Sequence, residues 1–474
     1  MKRTFSTLLL FCLAISGFAK VDLPEILGDN MMLQQQTEVN LWGNAAAQKP
    51  IIVKTSWTKE VFKTQTNDNG EWFIKIKTPK ASFTPQQITI SDGEPLTIQN
   101  ILIGEVWFAS GQSNMEMPLN GFWGAPIAGA NEAIAHAGDF QKSIRFVTIP
   151  KTDATTPQSR VKGKWVLCSP QTAPMFSATA YFFATQMTQI LQVPVGIIHC
   201  SWGGTRVESW SNRALCESYG EDLSEANLKS IAAENWKRPL VMYNGMLHPL
   251  VNYTIKGFIF YQGCSNVGQD KEYAQRLSNM VHLWRSLWKQ GDIPFYFTEI
   301  ASYTYGGEDS APLLREAQYK AQSLIPNSAM ISTVDLVEPF QFTNIHPRNK
   351  QDVGKRLAYM ALHRTYGFSS IACNGPEYDT MDIKESNIFL RFKYAQDAFN
   401  RDFGFEGFEV AGNDRVFYPA TARVIYNDSD ISMEIHSSHV EAPVAVRYCF
   451  HNTNVATVFN TRGLPLVPFR SDSW

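Results

Sequence analysis

The sequence predicts an α/β region whose parallel sheet carries helices on both faces, set between two smaller β domains. Three observations predict it. Apolar runs alternate with helical periodicity through the middle of the chain, short alternating strands with turn signals flank that middle on both sides, and polar segments follow several of the apolar runs.

At the start, Lys2 and Arg3 precede the apolar run from Leu8 to Ile15, and Gly17 and Ala19 place small residues where a signal peptidase reads. A secretory signal over residues 1–19 is expected, and with it an exported, secreted or periplasmic protein. The run is too short for a bilayer, and no later stretch reaches the ~18 apolar residues of a spanning helix. Residues 20–99 read as an antiparallel β domain. There Asp68-Asn69-Gly70 marks a hairpin, and Trp72, Ile74 and Ile76 then alternate with Phe73, Lys75 and Lys77.

Residues 100–375 differ. Five runs suit buried parallel strands: Glu105 to Ala109, Val193 to His199, Lys256 to Tyr261, Pro294 to Ile300, and Ala329 to Val334. Between and after them, helical spacing appears in Phe183, Met187 and Ile190, in Tyr273, Leu277, Met280 and Trp284, and in Val353, Leu357 and Met360. Such a sheet places its site beyond the carboxyl ends of its strands. Residues 376–474 return to alternation at Ile388 to Phe392, Ala422 to Tyr426 and Val444 to Tyr448, which predicts the second β domain.

Composition narrows the function classes. Lys and Arg number 42 against 44 Asp and Glu in 474 residues, so no net positive field exists to hold a nucleic acid. Hydrophobic residues at 44% and charged residues at 18% fill large cores and exclude a disordered chain. Aromatic residues at 12% suit both core packing and the covering of sugar faces. Beyond the signal, Cys168, Cys200, Cys216, Cys264, Cys373 and Cys449 are widely spaced without a CxxC pair. That pattern indicates neither zinc nor redox chemistry and leaves disulfides or buried thiols open.

Four polar segments carry the candidate chemistry. Gly111-Gln112-Ser113-Asn114-Met115 follows the first run, and its glycine lets the chain turn sharply and expose the Ser113 hydroxyl near a helix start. A helix cap is the alternative. Trp202-Gly203-Gly204-Thr205 follows the second run and allows backbone N–H groups to approach a ligand, or forms an ordinary loop. Gln262-Gly263-Cys264-Ser265-Asn266 follows the third, where the Asn266 amide can serve a developing oxyanion or simply turn the chain. Asn344-Ile345-His346-Pro347 comes last, with His346 able to take the Ser113 proton. Together these are the parts of acyl transfer: a nucleophile, oxyanion donors and a base. No GxSxG, HExxH or Walker motif is present.

These four motifs resemble the sialate O-acetylesterase family of the SGNH hydrolase superfamily. So do the stretches Ile26 to Gln35 and Tyr243 to Pro249, and the ending from Gly463 to Arg470. The resemblance implies an SGNH-like fold and a cofactor- and metal-free removal of acetyl groups from O-acetylated sialic acids. It makes Ser113 the nucleophile and His346 the base. By the same resemblance the Ser113 amide, a glycine of Gly203-Gly204 and Asn266 form the oxyanion hole, and Gln112 and Gln262 are expected to face the substrate; Arg206 could pair with a sialic-acid carboxylate or form a surface ion pair.

Two departures stand out. Thr343 and Asn344 occupy the positions where the family carries an acid before the histidine, and Cys264 stands where it tends to have Glu. A Ser–His dyad oriented by a backbone carbonyl would compensate for the first, and Asp335 or Glu338 offers a substitute carboxylate. Other readings are an esterase acting on acetyl-xylan or another polysaccharide, and a degenerate sugar-binding protein.

Overall fold

The computed structural model describes residues 20–229, 235–306, 310–427 and 430–474. The expected secretory signal at 1–19 lies outside them. The strands that matter here are β1 (Glu38–Asn44), β2 (Glu71–Lys77), β3 (Pro95–Gly111), β4 (Ile144–Thr148), β5 (Val195–Ser201), β6 (Gly257–Tyr261), β7 (Phe295–Thr298) and β8 (Ser328–Ile331). In space the order is β8-β7-β6-β3-β5-β4, every neighbouring pair parallel, with Val166–Leu167 added antiparallel at the β4 edge.

All five expected runs lie in this sheet: four have ends shifted by at most three residues, and the first lies inside the longer β3. They are continuously apolar because both faces are covered. Val106 and Phe108 face one core with Trp284, Trp288 and Phe295, whereas Trp107 and Ala109 face the other with Phe183, Met187 and Leu357. Helices α1 (Ala178–Leu191) and α4 (Lys350–Arg364) cover that second face, and α2 (Asp270–Trp288) and α3 (Ala311–Leu324) the first. The starts of α1 and α4 are capped by Ser177 and Asn349, whose side chains accept from the amides of Ala180 and Asp352.

Strand β4 and helix α3 were not anticipated. In β4 a charged residue, Arg145, interrupts the apolar run, yet it is buried and donates to the Gln141 carbonyl at 2.6 Å.

Strand β3 does two jobs over its 17 residues. Its first half pairs antiparallel with Ser82–Ser91 and its second half is the middle of the parallel sheet, so position 99/100 falls inside one strand. Met32–Gln34 also joins β3, in parallel. From Glu377 onward, two four-stranded antiparallel sheets enclose a third core that includes Ile388, Leu390, Val424, Met433 and Tyr448.

Candidate active site

The turn out of β3 requires glycine. Gly111 has φ +136°, and a Cβ there would stand 2.2 Å from the Tyr261 carbonyl oxygen. Ser113 then opens the helical turn Ser113–Glu116, where amides have no intrahelical acceptor.

The four polar segments meet around this turn. A Cβ on Gly203 would lie 3.2 Å from that of Ser113. The Gly263 amide donates to Gln112 Oε1 at 2.8 Å, and Gln262 Nε2 donates to the Thr205 carbonyl at 3.1 Å. Asn114 ties in the histidine loop: its Nδ2 donates to the Ile345 carbonyl at 3.1 Å, and its Oδ1 accepts from Lys350 Nζ at 2.8 Å. Ser113 and His346 thus sit on adjoining loops. Among the described residues neither the Ser113 hydroxyl nor the His346 ring makes a hydrogen bond.

His346 is half-buried, with its ring edge-on to Phe122 at 5.2 Å between centroids. Burial, and secondly the charge of Lys350, lowers its pKa to about 4, so the imidazole is neutral and able to accept a proton at neutral pH. No carboxylate orients it. Asp335 is held by Arg356 through two bonds of 2.7 and 2.5 Å, and Glu338 pairs with Arg348 at 2.6 Å. Neither substitute acid serves the ring, and among the described residues no backbone carbonyl bonds to it.

Two expected oxyanion donors already have acceptors. The Gly203 amide donates to Glu116 Oε2, and Glu116 also meets Lys151 Nζ at 2.7 Å. Asn266 Nδ2 donates to Glu208 at 3.1 Å and to Gln269 at 2.8 Å. Gly204 has φ +79° with the Trp236 indole where a Cβ would stand.

Three residues expected against substrate have other tasks. Gln112 and Gln262 are buried and stitch the loops together, with Gln262 Oε1 also accepting from Tyr273 at 2.8 Å. Arg206 is spent on Glu221 at 2.7 Å. The spacing could not show this, because side-chain direction at a loop is set by its neighbours.

Glu116, Asn114 and Lys350 shape the site without having been singled out for it. Lys350 is buried, donates also to the Pro347 carbonyl at 2.5 Å, and has its pKa lowered by burial to about 7. Cys264 is buried near enough to Lys350 for their charges to act on one another, and burial raises the thiol's own pKa. At the rim, Trp123 is fully exposed beside Phe122, and Asn344 Nδ2 donates to the Gly124 carbonyl at 3.2 Å. Among the described residues no group of His, Cys, Asp and Glu is placed to hold a metal ion, and no helix is long and apolar enough to cross a membrane.

Comparison with known proteins gives consistent matches. Residues 103–363 match the family described as carbohydrate esterase, sialic acid-specific acetylesterase. A crystal structure of a carbohydrate acetylesterase from Xanthomonas citri is 31% identical, covers 96% of this chain and 100% of that one, and has a TM-score of 0.85. The sialate O-acetylesterase of Rattus norvegicus is 26% identical over 429 residues, 78% of each chain. That of Pongo abelii is 27% identical over 325 residues, 64% of this chain, and the match spans 61% of the relative's length.

Proposed function

Because the chain belongs to the carbohydrate esterase, sialic acid-specific acetylesterase family, we propose that it hydrolyses O-acetyl esters of sugars, with sialic acids as the preferred carriers, through Ser113. The Ser113 oxygen attacks the acetyl carbonyl while His346 takes its proton. The sugar alkoxide leaves with that proton, and an acetyl-enzyme remains. Water, deprotonated by His346, then attacks the acetyl group, acetate leaves, and the proton returns to Ser113.

The observation that carries this reading is the position of Ser113 at the head of a helical turn, with Gly203 against it and the His346 loop held by Asn114. The oxyanion meets the Ser113 amide first. Gly203 joins only when its N–H exchanges the Glu116 carboxylate for the oxyanion, and Asn266 only when it leaves Glu208. The exposed Trp123 indole offers a face for the sugar. The charged start and apolar run of residues 1–19 support export, to a place where acetylated glycans are met.

A second reading, a sugar-binding protein without turnover, is favoured by the missing acid at Asn344 and by the engaged Gly203 and Asn266 donors. Acetate release decides between them. We expect release from O-acetylated sialosides to exceed that from acetyl-xylan. Equal or reversed rates would overturn the substrate assignment, and no release from either would favour the binding protein.

A further inference from the structure

A second cleft, of about 410 Å³, lies between the β1–β2 ribbon and two loops of the middle of the chain. The ribbon's register builds one wall. Trp42 stands directly opposite Phe73, and Asn44 opposite Glu71. Strand alternation puts these four on one face, on which half-buried Trp42 leans edge-on against Tyr253 at 6.4 Å between centroids, while Leu41 and Ile76 turn into the core. Phe73 is 44% exposed and turns its ring to the cleft that it lines.

Ser159-Arg160 and His248 to Asn252 form the opposite wall. The walls are tied by Asn40 Nδ2 donating to the Asn252 carbonyl at 2.8 Å and Arg160 donating to Asn44 Oδ1 at 2.6 Å. His248 follows directly on a π-helical turn, Tyr243–Leu247, a rare geometry that recurs at functional sites. Its Nδ1 donates to the Gln158 carbonyl at 2.8 Å, which fixes the ring at the cleft.

The chemistry fits a sugar. Aromatic side chains cover the C–H face of a pyranose, while amides, a carboxylate and an imidazole receive its hydroxyls. The charge pattern selects among sugars. Among the described lining residues Arg160 is already paired with Asp22 at 2.7 Å and Glu71 adds a negative charge, so the cleft favours a neutral sugar over a carboxylate-bearing one.

We infer that this cleft, formed by Trp42, Phe73, Asn44 and His248, binds a neutral pyranose of a glycan chain at a site separate from Ser113. The separation follows from topology. Asn252 leads into the amino end of β6, whereas Ser113 leaves the carboxyl end of the neighbouring parallel strand β3. The cleft would hold the polymer while ester cleavage proceeds at the far edge of the sheet.

Saturation-transfer NMR on the full chain tests this, with lactose, cellotetraose and xylotetraose as neutral probes and N-acetylneuraminic acid as the charged one. None carries an O-acetyl ester, so the outcome is independent of the esterase reading. We expect at least one neutral probe to bind, Phe73→Ala to weaken it about tenfold, and Ser113→Ala to bind it as the parent does. Acetate release by Phe73→Ala from a small acetyl ester stays unchanged. Binding of none of the neutral probes, binding that survives in both Phe73→Ala and Trp42→Ala, or a Phe73-dependent preference for N-acetylneuraminic acid would each overturn the inference.

Discussion

At the scale of the residue, the proposed chemistry turns on the His346 imidazole, which no acid among the described residues supports. Burial, then the nearby Lys350 charge, disfavours the protonated form of His346 and sets its pKa at about 4. A general base acts only when unprotonated, so kcat/KM rises with pH through that value and is flat above it. The acid limb is expected near pH 4, well below the ordinary histidine value of 6.5. Lys350→Met removes the lesser cause and leaves burial, so its limb moves upward but stays below 6.5. A pH–rate profile with a wild-type limb at 6.5, or one that Lys350→Met does not move, would contradict this account. That the segments of Ser113, Gly203 and His346 adjoin was legible because each follows a recognisable strand. The roles of Gln112, Gln262 and Arg206 were not, since linear spacing does not reveal that a carbonyl, an amide or Glu221 already claims the side chain.

At the scale of the element, the His346 loop is positioned by the helix that follows it. Helix α4 lies so close on α1 that a Cβ on Gly354 would come within 2.6 Å of the Thr179 carbonyl and 2.7 Å of Phe182 Cβ. Backbone cannot yield as a flexible side chain does. Gly354→Ala is therefore expected to cost about 1–3 kcal/mol, read as a lower midpoint in thermal denaturation, with acetate release reduced as the loop moves. An unchanged midpoint would show that the two helices are free to separate. The strands were readable as continuous apolar runs because both faces of the sheet are covered. Strand β4 escaped because Arg145 breaks its pattern, and its burial depends on a carbonyl that only the fold supplies. The heads of α1 and α4 are set by Ser177 and Asn349, caps that the spacing of Phe183 and Val353 alone does not locate.

At the scale of the whole molecule, one strand joins what composition divides. The change of pattern from residues 20–99 to 100–375 suggests a boundary, yet β3 passes through it, and the N-terminal strands and the parallel sheet share hydrogen bonds along it. A strand that is half in each region has no sequence mark, because its pairing partners lie far away in the chain. The cysteines are likewise resolved only by the fold: all six described are free, and all but Cys373 are buried. Burial pushes Cys168 and Cys449 up to about 12, so they remain thiols at neutral pH. Reductant is thus expected to leave the unfolding midpoint unchanged, and a thiol reagent to reach Cys373 before the others. A midpoint that falls on reduction would reveal a disulfide and contradict this arrangement. The claim on which the function rests, Ser113 as nucleophile, is tested most directly by the intact mass after treatment with a serine-directed organophosphonate. One adduct mapping to Ser113, absent from a Ser113→Ala variant that folds but releases no acetate, is the expected result; acetate release by that variant at the parent's rate would contradict it.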